Sequence, residues 1–209
     1  MSGAVVARRP DGISRILSVK SAVNEGDLLV SAENSYVRVK FTDGTEVVMR
    51  PNSQLKIEAY GYDERAPERD NFLLSLVKGG MRAVTGLLSR RNPSKMAVAA
   101  PNATIGIRGT HFGALFCAND CAGIPTPTGA PPANGLHVDV ADGRIVVTTQ
   151  VGSTEFSVGQ FGFVSAPTVL PVLVPPNQGT RVTLPPQALN QSIQGGTVGK
   201  GGDLECQIR

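Results

Sequence analysis

Pro101–Phe112 reads P-N-A-T-I-G-I-R-G-T-H-F, a stretch that places strong demands on its backbone. Ile105 and Ile107 alternate at the period of a strand and share one face, with Arg108 on the other. Gly106 and Gly109 mark positions where the backbone bends or is approached closely. No G-x-x-x-x-G-K-[ST] template and no strand–glycine loop–helix unit accompanies them, so the stretch does not read as a phosphate, nucleophile or metal site. It reads as a strand, with Lys95–Ala99 leading into it as another.

The flanking sequence is a meander of short strands. Within Leu28–Arg50, Tyr36, Arg38 and Lys40 fall on one face and Val37, Val39 and Phe41 on the other, the period of a half-buried strand. Asp43-Gly44 signals a hairpin, Pro51-Asn52-Ser53 turns the next corner, and Leu55, Ile57 and Ala59 alternate again. Tyr62–Asp70 is a charged connector. Gly79-Gly80 would break a helix within two turns, so Phe72 onward reads as two strands around a glycine corner. Leu87–Pro93 can form one helical turn, with Arg90-Arg91 at a solvated corner. Gly123–Gly135 is a loop, rich in Pro, Gly and Thr. After it, H-V-D-V-A-D-G repeats the V-x-V and D-G of V-R-V-K-F-T-D-G, and the spaced glycines of Val151–Val164 keep that rhythm, as a stack of hairpin-like units would. Ala166–Pro186 is apolar and proline-rich, suited to an edge segment or an extended arm. Gly195–Arg209 reads as a mobile tail.

Composition narrows the function classes. The 24 Gly and 15 Pro residues, with few aromatics and no Trp, favour many short strands over a helix bundle. The net charge of +3 hides an asymmetry: residues 1–110 hold 16 Lys or Arg against 11 Asp or Glu, and the remainder 4 against 6. Basic residues are not interleaved with stacking aromatics, which argues against nucleic-acid binding. No run of about 20 apolar residues is present to span a membrane. Residues 1–6 are too short for the apolar core of a secretion signal, so an exported protein would be read here without its leader.

Cys117 and Cys121 frame Ala-Asn-Asp, and residues that favour turns between two cysteines suit a small disulfide loop in an oxidising compartment; a reduced pair in a cytosolic loop is the alternative. No second cysteine pair accompanies them, and His111 and His137 lack ligand spacing, so no metal or other cofactor is expected. Cys206 is left over.

Five elements in order resemble the FecR-domain family of bacterial periplasmic proteins: E-G-D (Glu25–Asp27), F-T-D-G-T (Phe41–Thr45), P-N-S (Pro51–Ser53), V-K-G-G-M-R (Val77–Arg82) and A-T-I-G-I-R-G-T-H-F (Ala103–Phe112). The resemblance implies an all-β domain of stacked hairpins, solenoid-like or a β-roll, with a β-sandwich as the alternative. It divides the chain into a β domain over 1–112, a β continuation over 113–165 with the Cys117/Cys121 loop, and a Pro-rich arm and flexible tail over 166–209. Family members that govern iron-citrate uptake join this domain to a cytoplasmic anti-sigma segment and a membrane helix. Neither accompanies this sequence, so the resemblance implies a free-standing periplasmic module that binds an envelope or outer-membrane protein, or alternatively a polysaccharide such as peptidoglycan.

Within the motifs, Asp27 reads as a turn cap and Asp43-Gly44 as a hairpin. Arg108 would either hydrogen-bond the carbonyls of a neighbouring coil or face a partner, with the first favoured. His111 has no Ser, Cys and Asp set around it, and no carboxylate pair stands out, so a non-enzymatic binding protein is expected. The candidate contacts are Arg108 and His111 for a protein, and Tyr36, Tyr60 and Tyr62 for a sugar polymer.

Overall fold

The computed structural model describes residues 5–182 and the backbone of Leu204–Ile208. All-β architecture is observed. Among the described residues the strands are β1 (Val5–Arg8), β2 (Ser14–Leu17), β3 (Ala22–Val23), β4 (Leu28–Ser31), β5 (Val37–Lys40), β6 (Glu46–Met49), β7 (Gln54–Gly61), β8 (Asn71–Val84), β9 (Met96–Ala100), β10 (Ala103–Cys117), β11 (Gly135–Thr149), β12 (Gly152–Ser157), β13 (Phe161–Val164), β14 (Val172–Val174) and β15 (Leu204–Ile208). One short helix, α1 (Leu87–Arg91), occupies the turn read from L-L-S-R-R.

The strands form one mixed sheet rolled over a single core. In one wing the order is β2-β1-β4-β7-β8-β9-β10-β11-β12; in the other it is β3-β15-β5-β6-β8-β10-β11-β13-β14. The long strands β8, β10 and β11 belong to both. Alternation sends Leu29, Ile57, Leu74, Val98, Ile105 and Ile107 inward from the first wing, and Val37, Val47, Met81, Phe112 and Val138 from the second, into one continuous cluster. Phe41, Tyr60 and Phe72 meet across the wings with centroids 4.8–5.9 Å apart. Removing the fully buried Phe72 ring would cost about 3–5 kcal/mol.

The glycine corner at Gly79-Gly80 lies inside a strand. β8 runs unbroken from Asn71 to Val84 and changes wing there, pairing with β7 as far as Lys78 and with β6 from Met81. Strand bending leaves main-chain groups without ladder partners, and side chains supply them. Gly80 N–H donates to Ser53 Oγ at 2.9 Å, and Ser53 Oγ lies 3.1 Å from Gly80 O; Ser53 N–H donates in turn to Ser31 Oγ at 2.9 Å. Gly79 has φ +74°, and a Cβ there would sit 2.4 Å from Ser53 Oγ.

β10 and β11 change wing at the other end of the core. The register jumps from Arg108–Arg144 to His111–Asp142, so Gly109 and Thr110 together oppose Gly143. Thr110 N–H donates to Thr85 Oγ1 at 2.8 Å and Thr85 N–H donates to Thr110 O at 3.0 Å. Asp142-Gly143, read from sequence as a repeat of the Asp43-Gly44 hairpin, therefore lies inside β11, opposite the bulge of β10 and next to Ala141, the extra residue of β11. The genuine hairpin is held by Asp43, whose buried carboxylate accepts from Thr45 N–H (3.0 Å), Thr45 Oγ1 (2.7 Å) and Leu88 N–H (3.3 Å), fastening α1 to the β5–β6 turn.

Asp27 accepts from Asn24 N–H at 3.0 Å and pairs with Arg15 at 2.6 Å, a turn cap with an added ion pair. Arg90 is exposed. Arg91 departs from the solvated-corner reading: it grips both oxygens of buried Asp70, donates to Asp63 O at 3.0 Å and covers the Tyr62 ring at 4.7 Å. That grip holds the Asp70 carboxyl below its usual range, against burial, with Asn92 assisting. In the Pro-rich segment, Val172–Val174 forms β14 on β13, and residues 183–186 fall outside the described part. The expected tail also lies mostly outside it, but Leu204–Ile208 forms a strand.

Gly143 and Gly106 separate a required glycine from a permitted one. A Cβ on Gly143 (φ +72°) would meet Gly109 O at 2.1 Å, whereas on Gly106 it would meet only Val146 O at 3.7 Å. Gly143→Ala is expected to cost on the order of 2–4 kcal/mol and Gly106→Ala less than about 0.5 kcal/mol either way, read from urea unfolding midpoints.

Candidate functional site

Once in the second wing, β8 and β10 run antiparallel with Val84 opposite His111 and Arg82 opposite Gly113. The alternation that buries Met81, Ala83, Phe112 and Ala114 in the core turns Arg82, His111 and Gly113 to the outer face. A row of paired residues crosses this face: Arg38, Val48, Arg82, Gly113 and Asp139. Gly113 places no side chain between Arg82 and Asp139.

Arg82 Nε–H donates to His111 Nε2. The lone pair of Nε2 is thereby committed, and the neutral ring carries its proton on Nδ1. Burial, then the facing guanidinium of Arg82, pushes the His111 pKa below the ordinary 6.5, while Asp142 opposes the shift. Arg82 is itself buried, and its pKa is lowered by that burial and by Arg38, with Glu46 and Asp139 opposing.

The same face receives the chain that follows β14. Asp139 Oδ1 accepts from Val182 N–H at 3.0 Å; His137 has Nε2 2.8 Å from Ala133 O and its ring centroid 4.7 Å from that of Phe163. Burial lowers the His137 pKa. At the end of β10, Cys117 and Cys121 form a disulfide with Cα atoms 5.6 Å apart, packed with Leu115 and Val182 in a second small apolar cluster.

His111 has Arg82 as its one hydrogen-bond partner among the described residues, and a donor occupies the nitrogen a general base would use. Among the described residues no group of three His, Cys, Asp or Glu side chains is arranged to hold a metal ion.

The candidate contacts separate. His111 is half-buried on the second wing. Arg108 is exposed on the first, in register with Arg144, and makes no hydrogen bond or ion pair among the described residues, so bonds to neighbouring carbonyls are not seen. Tyr60 is half-buried; its phenol accepts from Asp43 N–H at 3.0 Å and lies 2.7 Å from Thr42 Oγ1, and burial raises its pKa. Tyr62 lies under Arg91. Tyr36 precedes β5 while Tyr60 packs on Phe41 beyond its other end, some five strand residues or about 16 Å away. The sequence marks neither Arg82 as a site residue nor Asp43 as a hub. The M-R-A-V alternation does place Arg82 outward, but its partners come from strands 29 and more residues away.

The fold and site thus define an all-β domain whose motif glycines and hydroxyls hold strand crossings. Residues 27–123 match the family described as FecR protein. This segment runs from the start of β4 to just past the disulfide. A protein of Parabacteroides distasonis ATCC 8503 described as an anti-sigma factor, solved at 1.65 Å, shares the fold: TM-score 0.52 at 14% identity, over 80% of this chain and 65% of that one. A second crystal structure from the same organism, at 2.50 Å, gives 0.50 and 14%, over 86% and 64%. The chain therefore spans about two thirds of the length of those proteins. No curated protein matches the sequence.

Because both imidazoles are held neutral, the unfolded chain takes up protons as pH falls through 6.5 while the folded one resists. The histidine contribution to stability is therefore full well above that value and declines as pH drops from 7.5 to 5.5, measured by urea unfolding. His111→Gln, whose carbonyl can still accept from Arg82, is expected to reduce this dependence; an unchanged slope would remove His111 from the account.

Proposed function

We propose that this protein is a non-enzymatic signalling module of the periplasm that works by binding another envelope protein. The supporting observation is the use made of the most specific motif. Its isoleucines fill the core, Gly109 and Thr110 make the crossing, and His111 is taken by Arg82. Arg108 alone among its ionisable residues is exposed and unengaged among the described residues, and an unpaired guanidinium on a flat sheet face is a common anchor of protein interfaces. The Parabacteroides proteins of similar fold, described as anti-sigma factors, agree with a regulatory role. A sugar platform draws less support, since Tyr60 and Tyr62 are engaged internally.

The Cys117–Cys121 bond accords with an oxidising compartment. Alkylation and mass spectrometry of protein recovered from its native compartment is expected to show both thiols blocked until reductant is added; free thiols there would contradict a periplasmic location.

Pull-down from envelope extract is expected to capture a protein partner, with Arg108→Glu weakening capture at least tenfold and leaving the unfolding midpoint unchanged. Capture that ignores the substitution would move the contact away from this face, and no capture under any condition would count against protein binding.

A further inference from the structure

We propose that the lane between β3 and β5 is a strand-acceptor site for an extended segment of a partner protein, held in this structure by the chain's own C-terminal strand. It rests on the protein-binding reading above and adds a second contact, apart from Arg108.

Strand β15 pairs in parallel on both sides. Leu204, Glu205, Cys206 and Gln207 are in register with Val37, Arg38, Val39 and Lys40 of β5, and Gln207 and Ile208 with Ala22 and Val23 of β3. Among the described residues β3 has no other strand partner, and β5 has only β6 besides. Taking β15 away would therefore leave a row of unpaired N–H and C=O groups along β5, the template that added strands recognise. Apart from β8–β9, every other pairing described is antiparallel. No hairpin connects β15 to its neighbours; residues 183–203 separate it in sequence from Val182. The described hold on this strand is its ladder, and a strand from another molecule can form the same ladder.

Charge indicates what the lane accepts. Arg38 makes no hydrogen bond or ion pair among the described residues, and Arg82, two strands away in the same row, feels its charge unfavourably. The register sets Glu205 opposite Arg38, acid against base. The sequence L-E-C-Q-I alternates apolar and polar residues. A competing segment is therefore an extended peptide of the same alternation with an acidic residue in the Glu205 position.

The test uses a chain ending at residue 203 and a fluorescent peptide of residues 203–209 carrying Cys206→Ser. The peptide is expected to bind the shortened chain saturably, at least tenfold more tightly than the full chain, and to restore hydrogen-exchange protection at residues 37–40. Arg38→Glu should weaken binding about fivefold. A folded shortened chain that neither binds the peptide nor gains protection there would overturn the proposal. Should that chain fail to fold, isotope-labelled full chain is mixed with excess peptide: loss of protection at residues 204–208 supports exchange in the lane, and unchanged protection overturns it. Dimerisation of the full chain that truncation abolishes would also overturn it, by assigning the lane to a second copy. Partner capture through Arg108 is read separately, so either result can fail alone.

Discussion

The constraint on which this structure depends is the passage of β8, β10 and β11 from one wing of the sheet to the other. A strand that bends over a core edge loses ladder partners just where its backbone is buried, and an unsatisfied buried main-chain group costs about 1–3 kcal/mol. Ser53 and Ser31 meet this demand at Gly80, and Thr85 meets it at Thr110. Each is a short side chain with one oxygen that can both donate and accept, and Ser53 comes close because Gly79 has no Cβ. Both wings then close on one cluster from Val5 to Val164.

The outer face of the second wing inherits its character from those crossings. β8 and β10 become neighbours only after each has changed wing, and that adjacency brings Arg82 to His111. Burial of this pair sets the protonation of the imidazole, and the disulfide loop and residues 175–182 settle beside it. The motif residues of the segment that matches FecR protein are largely the parts of this joint, while Arg108 stands exposed outside it.

Much of this was legible in the chain. Alternation at Val37–Phe41 and Leu55–Ile57 reports the inward face correctly because one face of each strand is buried, and Asp43-Gly44 forms the hairpin it advertises. Cys117 and Cys121 join as their spacing and turn residues allow. Asp142-Gly143 misleads because the same dipeptide serves a hairpin turn and a place inside a strand, here opposite the bulge of β10. Arg91 misleads for a related reason: its partner Asp70 is brought to it by the connector folding back, 21 residues upstream.

The sequence by itself determined the all-β class, the inward faces and most corners, and it allowed the Cys117–Cys121 bridge without deciding it against a reduced pair, since each of these readings uses residues a few positions apart and the short-range geometry of the backbone. Tertiary structure decided which glycine pairs are crossings, that His111 is bound by Arg82, that Tyr60 and Tyr62 are engaged internally, and that Arg108 stands free. These depend on strands distant in the chain meeting in one register, and register is set by the whole core.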